Sequence, residues 1–291
     1  KQLVTAPYQV DGYTEAYVQT GNIRNRGIEL SIGYNKTWGD FTWNPTFTFS
    51  ANQNKIIKLF GSDVDDSKNL ISKGGLEGLS TILREGGTMG DLYSYVDFAR
   101  DAEGNILIQD GKPVKQTVSG NPRFLGSVLP KANIGLSNEF SWKGINLGFL
   151  ITARLGGIVL SQTQAMLDSY GVSKASAVAR DNGGVPVNLG TMTAENYYSV
   201  VGGTNPIWSE YMYSGTNVRL QEAHVSYTLP RSLVGKLGVT LGLTASNLFM
   251  IYNKAPFDPE STASTGTYYQ GLDYFMQPSL RSLGFSVKVN F

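Results

Sequence analysis

The chain of 291 residues contains no cysteine and a single histidine, His224. Without cysteine there is no disulfide scaffold, no thiolate metal site and no cysteine nucleophile. One histidine makes a histidine metal cluster or a Ser-His-Asp triad implausible. Charged residues make up only 16% of the chain, and the net charge of +1 gives no sign of a nucleic-acid partner. The composition therefore points away from disulfide-rich modules, thiol enzymes and nucleic-acid binding.

The sequence also lacks a long apolar run. Its most apolar stretch, Ile145 to Leu160, is interrupted by Asn146, Thr152 and Arg154. It is shorter than the ~20 residues that a spanning helix needs. The first residues, Lys1 to Val4, do not have the pattern of a signal peptide. We therefore expect no transmembrane helix, and we expect the chain to be either a mature form or a piece of a longer protein.

What the sequence has in abundance is alternation of apolar and polar residues. The last nine residues, LGFSVKVNF, place an apolar side chain at every second position and end on Phe291. A period of two predicts a β-strand with one apolar and one polar face. About seven segments share this pattern, each near or above the ~9–11 residues with which a tilted strand crosses a bilayer. They start near Arg26, Phe41, Lys131, Ile145, Asn217, Gly235 and Leu283.

The alternation changes phase between Leu220 and Ala223, which predicts a β-bulge. The connections between the predicted strands differ strongly in length. The short ones lie near 38–40, 143–144 and 230–236, and the long ones at about 55–130, 156–216 and 250–278. Short turns at one end and long loops at the other are typical of an outer-membrane β-barrel.

A soluble β-sandwich or jelly roll also shows alternation, and this interpretation stays open. Its strands run to about 5–6 residues, however, and its apolar face points into a core. Here the strands are longer, and aromatic residues gather near the short turns, where the aromatic girdle of a membrane barrel lies. These residues are Trp38, Phe41, Trp43, Phe140 and Trp142. The sequence thus favours an all-β fold, a transmembrane antiparallel β-barrel.

The direction of the strands gives a further expectation. If the short turns are periplasmic, the strand that ends at Phe291 runs toward the periplasm, and so does the first of seven strands. Lys1 to about Gly21 would then lie outside the cell. An intact bacterial barrel has an even number of strands and no open edge. We therefore expect this chain to be the C-terminal part of a barrel whose other strands come from a missing partner segment.

Five segments share the pattern of one protein family: NIRNRGIELSIGYN (22–35), the hairpin at 120–157, NVRLQEAHVSYTLP (217–230), SNLFMIYNKAPFDPE (246–260) and the last strand. They resemble segments of the SusC/RagA-type TonB-dependent transporters of the outer membrane. Two parts depart from the family pattern: Phe124 and its neighbours replace the second proline and lysine after Gly-Asn-Pro, and the segment before the last strand keeps only Pro278 and Arg281 of a common Tyr-Pro-x-x-Arg.

This resemblance implies that residues 1–291 are the C-terminal segment of a 22-stranded barrel, without its plug and N-terminal strands. It implies active import of oligosaccharides or oligopeptides across the outer membrane of a Gram-negative bacterium, with a periplasmic C-terminus and extracellular long loops. No cofactor is implied, because the energy would come from TonB–ExbB–ExbD and the proton motive force. The implied partners are the N-terminal part of the same transporter, a SusD-like lipoprotein, TonB and outer-membrane lipid.

The alternative is a soluble or membrane β-rich binding module, or an outer-membrane enzyme. An enzyme would need a Ser-His or acid-pair constellation. No Gly-x-Ser-x-Gly motif lies near His224, so we expect no catalytic residue. A soluble module would fold without detergent, which distinguishes it from a barrel.

The long loops carry aromatic residues beside acids and amides. Flat rings stack on sugar faces, and they also pack on peptide side chains. The alternative is that these rings pack the loops together or face the lipoprotein. Six of them are candidate substrate-binding residues: Tyr93, Tyr95, Tyr197, Trp208, Tyr211 and Tyr269.

Among the acidic residues, Asp63, Asp65 and Asp66 offer oxygen ligands that suit Ca²⁺. Their spacing lacks the glycine and the distal glutamate of an EF-hand loop, so the pattern favours a solvated loop and no metal site.

Three charged or titratable residues fall on the polar faces of the predicted strands. For His224, which shares a face with Glu222, we expect a hydrogen bond along the barrel wall rather than catalysis. Arg154 and Arg219 are expected to tune the charge of this face or to pair with Glu139 and Glu222.

Overall fold

A computed structural model describes residues 2–10, 13–59, 70–118, 120–266 and 269–291, with the backbone alone for 2–10, 13–20, 70, 71 and 73. Eight strands form one antiparallel sheet in which each strand pairs with the next one of the set. A short ninth strand, β3 (Lys36–Trp38), pairs with residues Phe41–Trp43. The eight are β1 (Gln2–Val10), β2 (Tyr13–Gly33), β4 (Phe41–Lys58), β13 (Ala132–Trp142), β14 (Ile145–Leu155), β19 (Asn217–Thr228), β20 (Gly238–Asn253) and β22 (Ser282–Asn290). The predicted all-β antiparallel fold is confirmed.

All of the roughly seven predicted strands are present, and β1 adds an eighth to the sheet. β1 pairs with Tyr13–Ile23 of β2, which is 21 residues long. This part of β2 lies at the end of the sheet from which the long loops leave. β1 was not among the predicted strands, and it contains Pro7, a residue that is depleted in strands.

The apolar face of this sheet is uncovered. Ile28 is 69% exposed, Leu243 57% and Phe285 68%, and all three lie on the predicted apolar face. A soluble β-sandwich buries this face against a second sheet, and the described residues form no such layer. An apolar surface of this extent on a sheet indicates contact with lipid or another apolar environment.

Aromatic rings form a band across the short-turn end of the sheet. Ring centroids lie 6.1 Å apart for Trp38 and Phe41, and 6.2 Å apart for Phe41 and Phe140 and for Phe140 and Phe149. The predicted clustering is confirmed for Trp38, Phe41 and Phe140, and the position of these rings at a membrane interface stays a prediction.

The short turns follow from local sequence. Lys143 (φ 46°) and Gly144 (φ 85°) form the two-residue turn between β13 and β14, a conformation that glycine adopts readily. The turn before β20 contains α4 (Arg231–Val234). Pairing between β2 and β4 is interrupted after Gly33: the Tyr34 N–H donates to the carbonyl of Pro45 at 3.0 Å, but Pro45 has no N–H to return the bond.

The long loops are folded, and we call their described residues between 59 and 131, 156 and 216, and 254 and 281 the cap, made of a first, second and third loop. The helices described in the cap lie in the second loop: α1 (Gln162–Ser169), α2 (Lys174–Asp181), α3 (Ala194–Val201) and a 3₁₀ turn (Trp208–Tyr211). Side chains of Ser161, Ser173 and Thr193 cap the three α-helices. No helix in the described part of the chain is both long and apolar enough to cross a membrane.

The remaining strands of the cap form five small sheets. Four strands of the first loop pair in the order β12-β7-β6-β5, and the third loop joins the second where β21 pairs in parallel with β15. The strands are β5 (Leu70–Lys73), β6 (Leu79–Arg84), β7 (Asp91–Ser94), β8 (Val96–Phe98), β9 (Ile108–Gln109), β10 (Lys112–Pro113), β11 (Lys115–Thr117), β12 (Arg123–Ser127), β15 (Ile158–Ser161), β16 (Val185–Val187), β17 (Gly190–Met192), β18 (Met212–Ser214) and β21 (Leu272–Asp273).

The buried core of the described residues lies mainly in the cap. One cluster joins the first and second loops through Phe98, Tyr197 and Tyr211. The other joins all three loops around Trp208, with Leu92 from the first loop and Leu272 from the third. The loops therefore fold as one body over one end of the sheet.

Candidate functional site

The candidate site is the polar face of the sheet beneath the cap. Two cavities of about 720 and 610 Å³ lie there. Both are lined by Glu29, Ser50 and Asn133, which belong to β2, β4 and β13. The larger one extends to Arg154 at the end of β14 and to Glu260 of the third loop. Amides, hydroxyls and charges thus line a space where a polar ligand would meet the wall.

An amide cluster ties the first loop to this wall. Oδ1 of Asn25 accepts hydrogen bonds from Nδ2 of Asn52 at 3.3 Å and of Asn54 at 2.9 Å. Oδ1 of Asn54 accepts in turn from the N–H of Met89 in the first loop, at 2.8 Å. Because these side chains already bond one another, the wall is pre-ordered here.

Arg219 ties the third loop to the same face. Its guanidinium donates to both carboxylate oxygens of Asp258, at 2.6 and 3.2 Å, and lies 3.3 Å from Glu260. The Arg219 side chain is 6% exposed and that of Asp258 10%. Burial alone would raise the pKa of Asp258, but hydrogen bonds from Arg219 and Ser279 outweigh it, so the pKa lies below its ordinary value. This fork-to-fork contact fixes the third loop.

His224 meets Glu139 across an intervening strand. Nε2 of His224 lies 3.2 Å from Oε2 of Glu139, and Gly148 of β14 pairs with both residues. A Cβ at Gly148 would lie 2.3 Å from His224 and 2.4 Å from Glu139, so the glycine leaves room for the contact. The predicted wall contact of His224 is confirmed.

The predicted partners of the two arginines are wrong. Arg219 pairs with Asp258 and Glu260, not with Glu222. Arg154 donates to the carbonyl of Val128 at 2.8 Å. All three acceptors lie in loops that are distant along the chain, so the alternation within one strand does not identify them. The predicted β-bulge is confirmed. Glu222 pairs with Leu150 and Leu220 pairs with Ile151, so Gln221 is the extra residue of β19 in this ladder.

The six candidate aromatic residues are all in the cap, but they differ in burial. Four are buried, with Trp208 fully enclosed and the others at most 9% exposed: Tyr93, Tyr197, Trp208 and Tyr211. Nε1 of Trp208 donates to the carbonyl of Glu77 at 3.0 Å, and the Tyr197 hydroxyl donates to Glu210 at 3.2 Å. This geometry favours loop packing for these four.

The other two candidates are accessible. Tyr95 is half-buried, and Tyr269 is 45% exposed. A Cβ at Gly74 (φ 58°) would lie 2.6 Å from the Tyr269 ring, so the bare glycine lets this ring pack on the first loop. Substrate contact stays a prediction for all six residues, and the geometry favours it for these two. Asp63, Asp65 and Asp66 lie outside the described residues.

The second loop contains a buried carboxyl, Asp168, that was not among the predicted functional residues. Asp168 is 3% exposed and accepts hydrogen bonds from Ser173 and, at 2.8 Å, from Gln164. Burial raises the pKa of Asp168, and the hydrogen bonds from Ser173 and Gln164 oppose the rise. Only burial distinguishes this residue from other loop aspartates, and burial is not visible in the sequence.

Asp168→Asn should make the second loop more stable at pH 7 and less dependent on pH. The folded state holds the Asp168 proton to a higher pH than the unfolded state, so stability falls as pH rises through that window and stays lower above it. Asparagine keeps the acceptor and removes the buried charge. Hydrogen exchange of the α1 and α2 amides, corrected for intrinsic rates, measures the effect in the full-length protein. Asp181→Asn, on the exposed end of α2, is the control; lower protection in Asp168→Asn would contradict the prediction.

No protein-family model matches the chain, but individual proteins are similar to it over nearly all of its length. The chain is 27% identical over 97% of its length to TonB-dependent receptor P3 of Formosa agariphila, and 26% identical over 99% to TonB-dependent receptor P26 of the same organism. It covers 30% and 31% of those proteins.

Solved structures show the same fold. The RagAB peptide importer in its open-open state matches with a TM-score of 0.66 at 17% identity, and the RagAB peptide transporter with 0.65 at 19%. Each match covers 99% of this chain and 31% of the other. The chain thus spans about three tenths of the length of its relatives. The expected resemblance to TonB-dependent transporters is confirmed.

Proposed function

We propose that this chain, a relative of TonB-dependent receptors over nearly all of its length, forms the C-terminal segment of the barrel of an outer-membrane importer. The observation that carries the proposal is the two-faced sheet: an uncovered apolar face, a polar face with cavities, and a folded cap at one end. The function is transport without covalent chemistry, and no catalytic residue is assigned.

The remaining strands and the plug would come from the rest of a longer protein. A barrel leaves no strand edge open in lipid, and in the part of the chain that the structure describes, β1 and β22 end the pairing order of the sheet. Energy would come from TonB–ExbB–ExbD and the proton motive force. Short turns would face the periplasm and the cap the outside of the cell.

The proposed cargo is an oligopeptide or an oligosaccharide. The similar structures are those of a peptide importer, which supports a peptide. A wall of amides and carboxylates, such as Asn25, Asn52 and Glu29, can bond either peptide groups or sugar hydroxyls. The proposed partner over the cap is a SusD-like surface lipoprotein.

Uptake by intact cells tests this function. The full-length protein and its lipoprotein are restored to a strain that lacks both genes, and fluorescent oligopeptides and oligosaccharides are offered separately. We expect uptake of one class, abolished by a protonophore. Equal uptake by the deletion strain, or uptake that persists without a proton gradient, would contradict the proposal.

Tyr269→Ala and Tyr95→Ala should each lower uptake of the preferred class by about fivefold, because a stacked ring contributes about 1 kcal/mol. Initial uptake rates at low cargo concentration measure the change. Tyr170→Ala, which removes a 74% exposed ring from the second loop, is the matched control. If all three variants import at the wild-type rate, neither tyrosine contacts the cargo.

A further inference from the structure

A gap opens in the sheet above the last pair of β4 and β13. The two strands pair from Phe41–Trp142 up to Ser50–Asn133. Beyond this row β4 continues to Lys58 along β2, whereas the chain before β13 turns away into the cap at Leu129-Pro130. Pro130 has no N–H with which to extend the ladder. The edge of β4 just above Ser50 therefore borders an opening instead of a strand.

This opening is a cleft of about 870 Å³. Its apolar walls include Ile28, Ala51, Leu129 and Ile158. Ile28 and Ala51 pair across β2 and β4 and share the apolar face of the sheet. The cleft is thus continuous with the surface that faces lipid in the proposed barrel, and it accepts an apolar chain from that side.

Two cations line the cleft, and two more lie further along β2 and β4. Arg26 and Lys131 line it and are exposed. Arg24 and Lys55 pair with each other one row above Arg26 on the same face, since alternate residues of a strand share a face. No ion pair joins any of the four to a carboxylate among the side chains that the structure describes. These charges lie directly beyond the apolar band, at the level where lipid headgroups would lie.

We propose that the cleft binds a phosphate-bearing lipid of the outer leaflet, with an acyl chain between Ile28, Ala51 and Leu129 and a phosphate at Arg26 and Lys131. The inference rests on the proposed membrane location and adds a specific lipid site to it. An apolar cleft beside unpaired cations matches the two halves of an anionic lipid. A soluble anion would leave the apolar walls exposed, and a neutral lipid would leave the cations unpaired.

Native mass spectrometry of the full-length protein in mild detergent tests the site, with bisphosphorylated lipid A and phosphatidylcholine as probes. We expect selective retention of lipid A. The double substitution Arg26→Gln/Lys131→Gln should weaken lipid A binding by about tenfold to thirtyfold, because each cation near a lipid phosphate contributes about 1 kcal/mol. Lys36→Gln/Lys236→Gln removes two exposed lysines at the short-turn end and should leave binding unchanged.

A second variant tests the contribution of the apolar part of the cleft separately from that of the cations. Ala51→Trp fills the apolar part and should lower retention of lipid A with all cations present. Equal retention of the two lipids by the wild type, or equal loss in both double variants, overturns the inference. So does loss of the lipoprotein instead of lipid in Ala51→Trp, which would make the cleft a protein interface. Wild-type uptake without selective lipid retention would refute this site alone, whereas absent uptake would refute the proposed function.

Discussion

Arg219→Ala should free the third loop from the sheet. The substitution leaves the buried carboxylate of Asp258 without its bidentate partner, and loss of one partner of a buried ion pair costs about 3–5 kcal/mol. The third loop has tryptic sites at Lys254 and Arg281 and no other lysine or arginine between them. We expect cleavage at these two sites in the full-length protein to accelerate at least a hundredfold.

The double variant Arg219→Ala/Asp258→Ala separates the two explanations of such an effect. If the unpaired charge causes the opening, removing Asp258 as well should restore much of the resistance to trypsin. Asp40→Asn breaks the exposed pair of Asp40 and Lys143, whose side chains are 67% and 62% exposed, and should change no cleavage rate. Wild-type cleavage kinetics in Arg219→Ala would show that this contact does not hold the loop.

Trp208→Ala should separate the three loops of the cap. Trp208 is fully buried in the cluster that also contains Leu92 of the first loop and Leu272 of the third. Truncation of a buried tryptophan to alanine costs about 3–5 kcal/mol, and here it also leaves the Glu77 carbonyl without its donor. We expect hydrogen exchange to accelerate throughout the cap while the amides of β13 and β14 keep their protection.

Two further substitutions show whether lost packing or the lost hydrogen bond causes the faster exchange. Trp208→Phe keeps most of the side-chain volume but removes the hydrogen bond to Glu77, so its effect should be much smaller than that of Trp208→Ala. Tyr170→Ala removes an exposed ring from the same loop and should leave exchange unchanged. If Trp208→Ala alters only the amides next to position 208, the cap is not one cooperative body.

The sequence predicted the sheet well because a strand with two different faces has a period of two. The hairpin at Lys143-Gly144 and the bulge at Gln221 both followed from this period and from turn chemistry. It did not predict β1, a strand that contains Pro7. The start of the first loop also fell too early, at 55, because β4 continues to Lys58.

The sequence predicted less of the candidate site. It placed His224 correctly on the wall but paired Arg219 with Glu222 on its own strand, whereas the partners Asp258 and Glu260 come from the third loop. It also treated the aromatic residues of the loops as one class. Trp208 and Tyr269 have similar local surroundings in sequence, yet one is fully buried and the other 45% exposed.

By itself, then, the sequence determined a two-faced antiparallel sheet, its short turns and the relationship to a transporter family, because these depend on local periodicity and local motifs. Only the tertiary structure decided that the long loops fold into one cap, that Arg219 anchors the third loop, and that a cleft opens above Ser50. Those features depend on which distant segments meet. Contacts between residues such as Trp208 and Glu77, 131 positions apart, leave no periodic signal in either segment.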